Sequence, residues 1–219
     1  MTKTETYRNR VETGFPRDPR SWRDLPAKLS SERLEIAGHP VMESWEGEYM
    51  KRLASIAASK PRRILEVGFG MGISAGFIQN YEIKEHVIIE ANREVYDMLI
   101  SFAKEVDQKV RPILGFWQDV TPTLPDESFS SILFDTYPLS EQEIHRNHFA
   151  FFSEAHRLLE KGGIFTYYSD EATGFSRSHR RALMRAGFRD IQDALCPVTP
   201  PPDCRYWKHD TLLVPVIFK

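Results

Sequence analysis

The chain has 219 residues, 41% of them hydrophobic and 27% charged, with a net charge of −2. That balance suits one soluble domain with a single sizeable core, and it gives no electrostatic reason to expect nucleic acid as a partner. No apolar run approaches the roughly 20 residues that cross a bilayer, and the first ten residues lack a signal-peptide core. Cys196 and Cys204 are too few for a disulfide framework, so a reducing cytoplasm is the expected compartment.

In chain order, residues 1–30 carry charges, prolines and Trp22 without periodicity, and read as an arm or lid before a single domain spanning 31–219. Residues 31–60 suggest a helix, with Val41, Trp45, Tyr49, Leu53 and Ile56 on one stripe and Met42, Glu46 and Met50 on a neighbouring face. A strand over 62–67 runs into a glycine turn and a helix over 73–81. Then follow a strand over 86–90, a helix over 94–105 and a weaker strand over 110–114, where Pro112 removes a ladder donor. A strand over 130–135 precedes a long helix over 141–160, closed by Lys161, Gly162 and Gly163. Residues 164–169 form a fifth strand, 178–186 a helix, and 211–218 a last strand. This alternation predicts an α/β doubly wound, Rossmann-like sheet with ligands beyond the carboxyl ends of its strands, where Glu66, Glu90 and Asp135 fall.

The run Leu65-Glu66-Val67-Gly68-Phe69-Gly70-Met71-Gly72 is a strand, a glycine turn and the entry to a helix beginning Ile73-Ser74, which is a cradle for a nucleotide-sized ligand. A dinucleotide pattern fits in one register of these glycines, so the glycines alone leave the ligand open. Glu66 weighs against a pyrophosphate, because like charges repel, and favours the cationic sulfonium cofactor S-adenosylmethionine. Glu90 suits ribose hydroxyls of either cofactor. Asp135 lies where a transferred methyl group would be presented, and a carboxylate there can orient an acceptor and take its proton. With Glu46 it makes a pair suited to the planar donors of a guanidinium.

The chain resembles the guanidinoacetate N-methyltransferase family from about residue 36 onward. The resemblance rests on Pro40-Val41-Met42-Glu43, Trp45-Glu46, Tyr49-Met50, Leu65 through Met71, Ile88-Ile89-Glu90 and Asn92. Further matches are Trp117, Asp119-Val120, Pro122 through Asp126, Asp135-Thr136-Tyr137-Pro138-Leu139-Ser140 and Asp203-Cys204-Arg205-Tyr206. It implies a class I S-adenosylmethionine-dependent methyltransferase fold, with S-adenosylhomocysteine as the cofactor product. Residues Phe69, Gly70, Met71, Gly72, Ile73 and Ser74 would wrap the methionine part of the cofactor. Glu90, Ala91 and Asn92 would hold the ribose, and Trp117 and Gln118 the adenine, although the family usually has an acid where Gln118 stands. Met42 and Met50 would line the cofactor pocket, under Trp22 as a lid. Glu46, Asp135, Thr136 and Tyr137, with Met42, would hold the guanidine.

The chain departs from the family after the fifth strand, where Tyr168-Ser169-Asp170-Glu171-Ala172-Thr173 replaces a stretch that binds the substrate carboxylate. Asp170 and Glu171 would repel a carboxylate, so a larger arginine-derived guanidine is expected, with an antibiotic of blasticidin type as the concrete example. Guanidinoacetate itself, a non-catalytic cofactor-binding module and a dinucleotide enzyme are the alternatives. A small guanidine is the expected partner, without nucleic acid or membrane, and a homodimer is left open. No metal is expected: His145 and His148 read as residues of a surface helix.

Overall fold

The computed structural model describes residues 15–60 and 62–219. The expected arm lies partly outside them, and its described remainder is ordered: a 3-10 turn at Pro19–Asp24 buries Trp22. Three short strands follow, β1 (Ala27–Leu29), β2 (Arg33–Ile36) and β3 (His39–Glu43), paired as an antiparallel meander. This corrects the helix expected over 31–60. Leu34 and Ile36 are buried and alternate with the less buried Arg33 and Glu35, a period of two. Ala37 and Gly38 turn the β2–β3 hairpin with φ of 51° and 79°, which no helix accommodates. The helical stripe is real only over α1 (Gly47–Ala57), which buries Tyr49, Met50 and Leu53.

The main body alternates as expected. It runs β4 (Arg63–Val67), α2 (Ile73–Ile78), β5 (Glu85–Glu90), α3 (Arg93–Glu105), β6 (Val110–Leu114), α4 (Trp117–Val120), β7 (Phe129–Phe134) and α5 (Asn147–Leu158). It closes with β8 (Leu159–Tyr167), α6 (Arg177–Arg185), β9 (Asp190–Pro197) and β10 (Thr211–Phe218). Two further corrections apply here. Residues Leu159 to Gly163, expected to end a helix, begin β8, and β9 was not expected at all. β9 is an exposed edge strand with little hydrophobic alternation, whereas β10 buries five of its eight residues and was legible.

The seven-stranded sheet has the order β6-β5-β4-β7-β8-β10-β9. Its first five strands are mutually parallel, and β10 is antiparallel to both of its neighbours. Pro112 is tolerated because β6 is an edge. Side chains of one face, such as Leu65, Val87, Ile132 and Phe165, pack with Phe151 and Phe152 of α5. On the other face, Ile64 and Leu133 pack with Tyr49 and Leu53 of α1. Covering both faces is what makes these strands continuous hydrophobic runs. The chain winds outward from β4 to β6 and then resumes at β7 on the other side of β4. The crevice at that reversal is where ligands of such sheets bind.

Candidate active site

The turn after β4 depends on glycine at Gly68. Its φ is +92°, and a Cβ there would collide with the backbone oxygen of Asp135. Removing that atom lets the ends of β4 and β7 close on one another, with the Asp135 amide donating to the Val67 carbonyl at 2.9 Å. Gly70 lies under Met42, and Gly72 caps α2 in the left-handed conformation. Glu90 braces the turn from β5: its carboxylate accepts from the amides of Phe69 (2.9 Å) and Asn92 (2.7 Å). Burial raises the Glu90 pKa, and those amides oppose the rise.

Above the turn lies a cleft of about 180 Å³, lined by Trp22, Met42, Gly68, Gly70, Glu90 and Ala91 among the residues expected there. Trp117, Gln118, Asp135, Thr136 and Tyr137 complete that expected set, and sequence reasoning missed Val41, Gly115, Phe116 and Asn147. Trp22 stacks on Tyr137 at 5.4 Å with the rings 2° from parallel, and the Tyr137 hydroxyl is 2.8 Å from His39 Nδ1. Arg20 adds an ion pair to Asp119 and lies over Phe116, tying this roof to the far wall.

A second, smaller recess opens from the same floor, sharing Val41, Asp135, Thr136, Tyr137 and Asn147 with the cleft. It adds Glu46, Tyr168, Asp170 and Tyr206. Glu46 is oriented by the Tyr206 hydroxyl, which donates at 2.6 Å, and by the Glu43 amide at 2.9 Å. Burial pushes its carboxyl up to about 7. Burial also holds the Asp135 carboxyl well above the usual range, with the negative charges of Glu46, Glu66 and Asp170 adding to the effect. Two neighbouring acids that each resist ionisation form a coupled pair that a cation between them would ionise.

The structure places several expected ligands elsewhere. Glu66 is fully buried beneath the turn, accepting from Ser74 Oγ and lying 2.9 Å from His86 Nε2, and it does not line the cleft. Met50, Met71 and Ile73 pack with or against the core between the sheet and α1. Phe69 turns under Gly72 and packs on Phe102. Asn92 spends its side chain entirely on structure: its oxygen caps α3 at the amides of Glu94 and Val95, and its nitrogen donates to the carbonyls of Trp22 and Leu25. Glu171 points away from the recess to His179 and to the Ser176 amide. The surface helix expected at His145 and His148 is also corrected. His148 is 1% exposed, stacked on Tyr167, with burial pushing it down to about 3, and His145 precedes the helix in a left-handed turn.

A cleft at the switch point, an acid ending β5 and a carboxylate beyond β7 define a class I S-adenosylmethionine-dependent methyltransferase fold. Solved structures agree on the fold. Spermidine synthase from Thermotoga maritima superposes with a TM-score of 0.63 at 14% identity, over 90% of this chain and 72% of that one. M. jannaschii TYW2 in complex with AdoMet gives 0.61 at 17%, over 90% and 85%. A family model described as guanidinoacetate N-methyltransferase matches residues 17–219, and the chain belongs to that family. Among curated relatives, the protein arginine N-methyltransferase 2 of Aspergillus oryzae is 32% identical over 76% of this chain and 40% of its own length. That of Aspergillus fumigatus is 33% identical over 59% and 30%. The chain thus spans well under half the length of these relatives.

The cleft fits the family's cofactor on its own geometry. Gly68, Gly70 and Gly115 line it without side chains, Glu90 offers a carboxylate for ribose hydroxyls, and Phe116 and Trp117 supply flat apolar walls for a heterocycle. Among the described residues no helix is long and apolar enough to cross a membrane.

Proposed function

We propose that this protein transfers a methyl group from S-adenosylmethionine to a nitrogen of a guanidino group carried by a small molecule larger than guanidinoacetate. The observation that carries the reading is the placement of two carboxyls, the buried Glu46 and the half-buried Asp135, in a recess that opens onto the cofactor cleft. A planar guanidinium offers five donors in a fixed fork, which two carboxylates can share. Its positive charge would offset the burial and mutual repulsion that keep both acids from ionising. The bound cofactor supplies an electrophilic methyl group on sulfur. Asp135, at the junction of the two cavities, fixes one guanidinium nitrogen toward the cleft and accepts the proton that nitrogen loses. Glu46, held by Tyr206 and the Glu43 amide, grips the remaining nitrogens and keeps the positive charge away from the attacking one.

An arginine-derived natural product of blasticidin type belongs to the proposed substrate class. The curated relatives' names make peptide arginine a further guanidine to include in the test. Mass spectrometry of products from guanidinoacetate, agmatine, free arginine and an arginine peptide, with amines of matched length as controls, decides the matter. The expected product is a guanidine gaining one methyl mass on a guanidino nitrogen. Turnover confined to the amines would refute the reading, and guanidinoacetate turned over far above the others would refute the larger substrate.

A further inference from the structure

Three tyrosines line the recess, Tyr137, Tyr168 and Tyr206, and two of their hydroxyls are already engaged. Tyr206 donates to Glu46 at 2.6 Å, and the Tyr137 hydroxyl is 2.8 Å from His39 Nδ1. Tyr168 differs. Its hydroxyl oxygen is buried, yet among the described residues it makes no hydrogen bond of ordinary geometry. It lies close enough to Glu46 to favour the ionised form of that carboxyl. A buried hydroxyl in that state costs free energy unless a ligand completes its bonding.

The side chain is tied to both elements that carry the paired acids. Tyr168 directly follows β8, and its amide donates at 3.0 Å to the carbonyl of Phe134, the residue before Asp135. Its ring meets that of Tyr49 edge-on, with centroids 5.2 Å apart and planes at 79°. Tyr49 belongs to α1, which begins immediately after Glu46. Burial, with the negative charge of Glu46 beside it, holds the Tyr168 hydroxyl well above its usual range, so it keeps its proton at neutral pH.

We infer that the Tyr168 hydroxyl is a third ligand of the acceptor's guanidinium, accepting an N–H from a terminal nitrogen while donating its own hydrogen to Glu46. The assignment rests on the guanidino reading above. A phenol oxygen can do both at once, because its lone pairs stay available when its hydrogen is given away. Tyr168 lines the recess and not the cleft, so the nitrogen it meets is one that is not attacked. An acceptor lacking that nitrogen leaves the hydroxyl buried and unanswered. Tyr168 therefore selects guanidines over amidines and simple amines.

The test uses two ligands that share charge and tail. Butylguanidine and N-butylacetamidine are both cations, and a terminal NH2 of the first is a methyl group in the second. Isothermal titration of each into enzyme loaded with S-adenosylhomocysteine gives a ratio of affinities, for wild type and for Tyr168→Phe. Phenylalanine keeps the ring against Tyr49 and removes the hydroxyl alone. Binding of S-adenosylhomocysteine checks the fold.

The wild-type enzyme is expected to bind butylguanidine more tightly by about tenfold or more, the scale of one hydrogen bond to a charged group. Y168F is expected to lose most of that preference, and to raise KM for a methylated guanidine with kcat changed less. A wall that only packs would weaken both ligands alike. An unchanged ratio in Y168F overturns the inference, as does a wild-type enzyme that binds both ligands equally. Should Y168F fail to bind S-adenosylhomocysteine, Tyr168→Met decides by the same ratio. If the wild-type enzyme binds neither ligand and methylates no guanidine, the guanidino reading itself fails. A guanidine methylated while Y168F leaves the ratio unmoved sinks only the role of Tyr168.

Discussion

Asp135→Asn is expected to lower kcat for methyl transfer by about a thousandfold, within the range for removing a positioned proton acceptor, while S-adenosylhomocysteine binding stays within a few-fold. Asparagine keeps the size of the side chain and the backbone contact from the Asp135 amide to Val67. It cannot take a proton at neutral pH, and its amide offers a donor where the guanidinium needs an acceptor. Glu46→Gln should divide its effect differently. Glu46 lines the recess and not the cleft, so its loss should fall mainly on KM for the guanidine. Rapid-quench measurement of single-turnover methyl transfer separates the two. Equal chemistry in D135N and wild type would remove Asp135 from the proposed role.

Gly68→Ala is expected to destabilise the fold by about 4 kcal/mol and lower Tm by roughly 10 °C, with cofactor-product binding abolished. A methyl group there would overlap the Asp135 carbonyl, and φ of +92° is itself unfavourable for any residue with a Cβ. Relief requires β4 and β7 to part at their carboxyl ends. That movement displaces Asp135 and widens the floor shared by the two cavities. Gly76→Ala is the matched control. Gly76 sits in α2, and a Cβ added to it would meet nothing within 4 Å, so alanine there should be neutral or stabilising by up to about 1 kcal/mol. Calorimetric melting of both variants checks the contrast, and a G68A protein that melts with wild type and binds S-adenosylhomocysteine would contradict it.

The parallel core was legible because its strands are short apolar runs ending at glycine or acid, and β6 and β10 were delimited by residue. What stayed hidden had physical reasons. In the meander, the stripe through Val41 and Trp45 imitated a helix, while the decisive signal was the alternation around Leu34 and Ile36 with a two-residue turn at Ala37-Gly38. β9 alternates too weakly for its burial at an edge to be read.

At the site, Gly68, Glu90 and Asp135 stand where the strand-end rule put them. Glu66 and Asn92 share that local signature, yet the structure employs both as scaffold, one beneath the turn and one as a helix cap. Their partners, Ser74, His86 and the carbonyls of Trp22 and Leu25, are fixed only by the fold. Tyr168 and Tyr206 reach the recess from distant segments, and no local pattern links them to Glu46. Glu46 was legible as an acid sharing a face with Met42 and Met50, whereas its partner Tyr206, some 160 positions away and hydrogen-bonded to it at 2.6 Å, carried no expected role.

On the proposed reading, the paired acids Glu46 and Asp135 are held back from ionising until a guanidinium enters between them. Glu46 is raised to about 7, so below that pH the free enzyme carries a proton that the cation must displace. Isothermal titration of agmatine into enzyme loaded with S-adenosylhomocysteine, repeated in buffers of differing ionisation enthalpy, counts that proton. Binding at pH 6 is expected to release a proton, to tighten as pH rises to about 7, and to lose the Glu46 contribution to both effects in E46Q. Binding without proton release, and with affinity flat from pH 6 to pH 8, would contradict it.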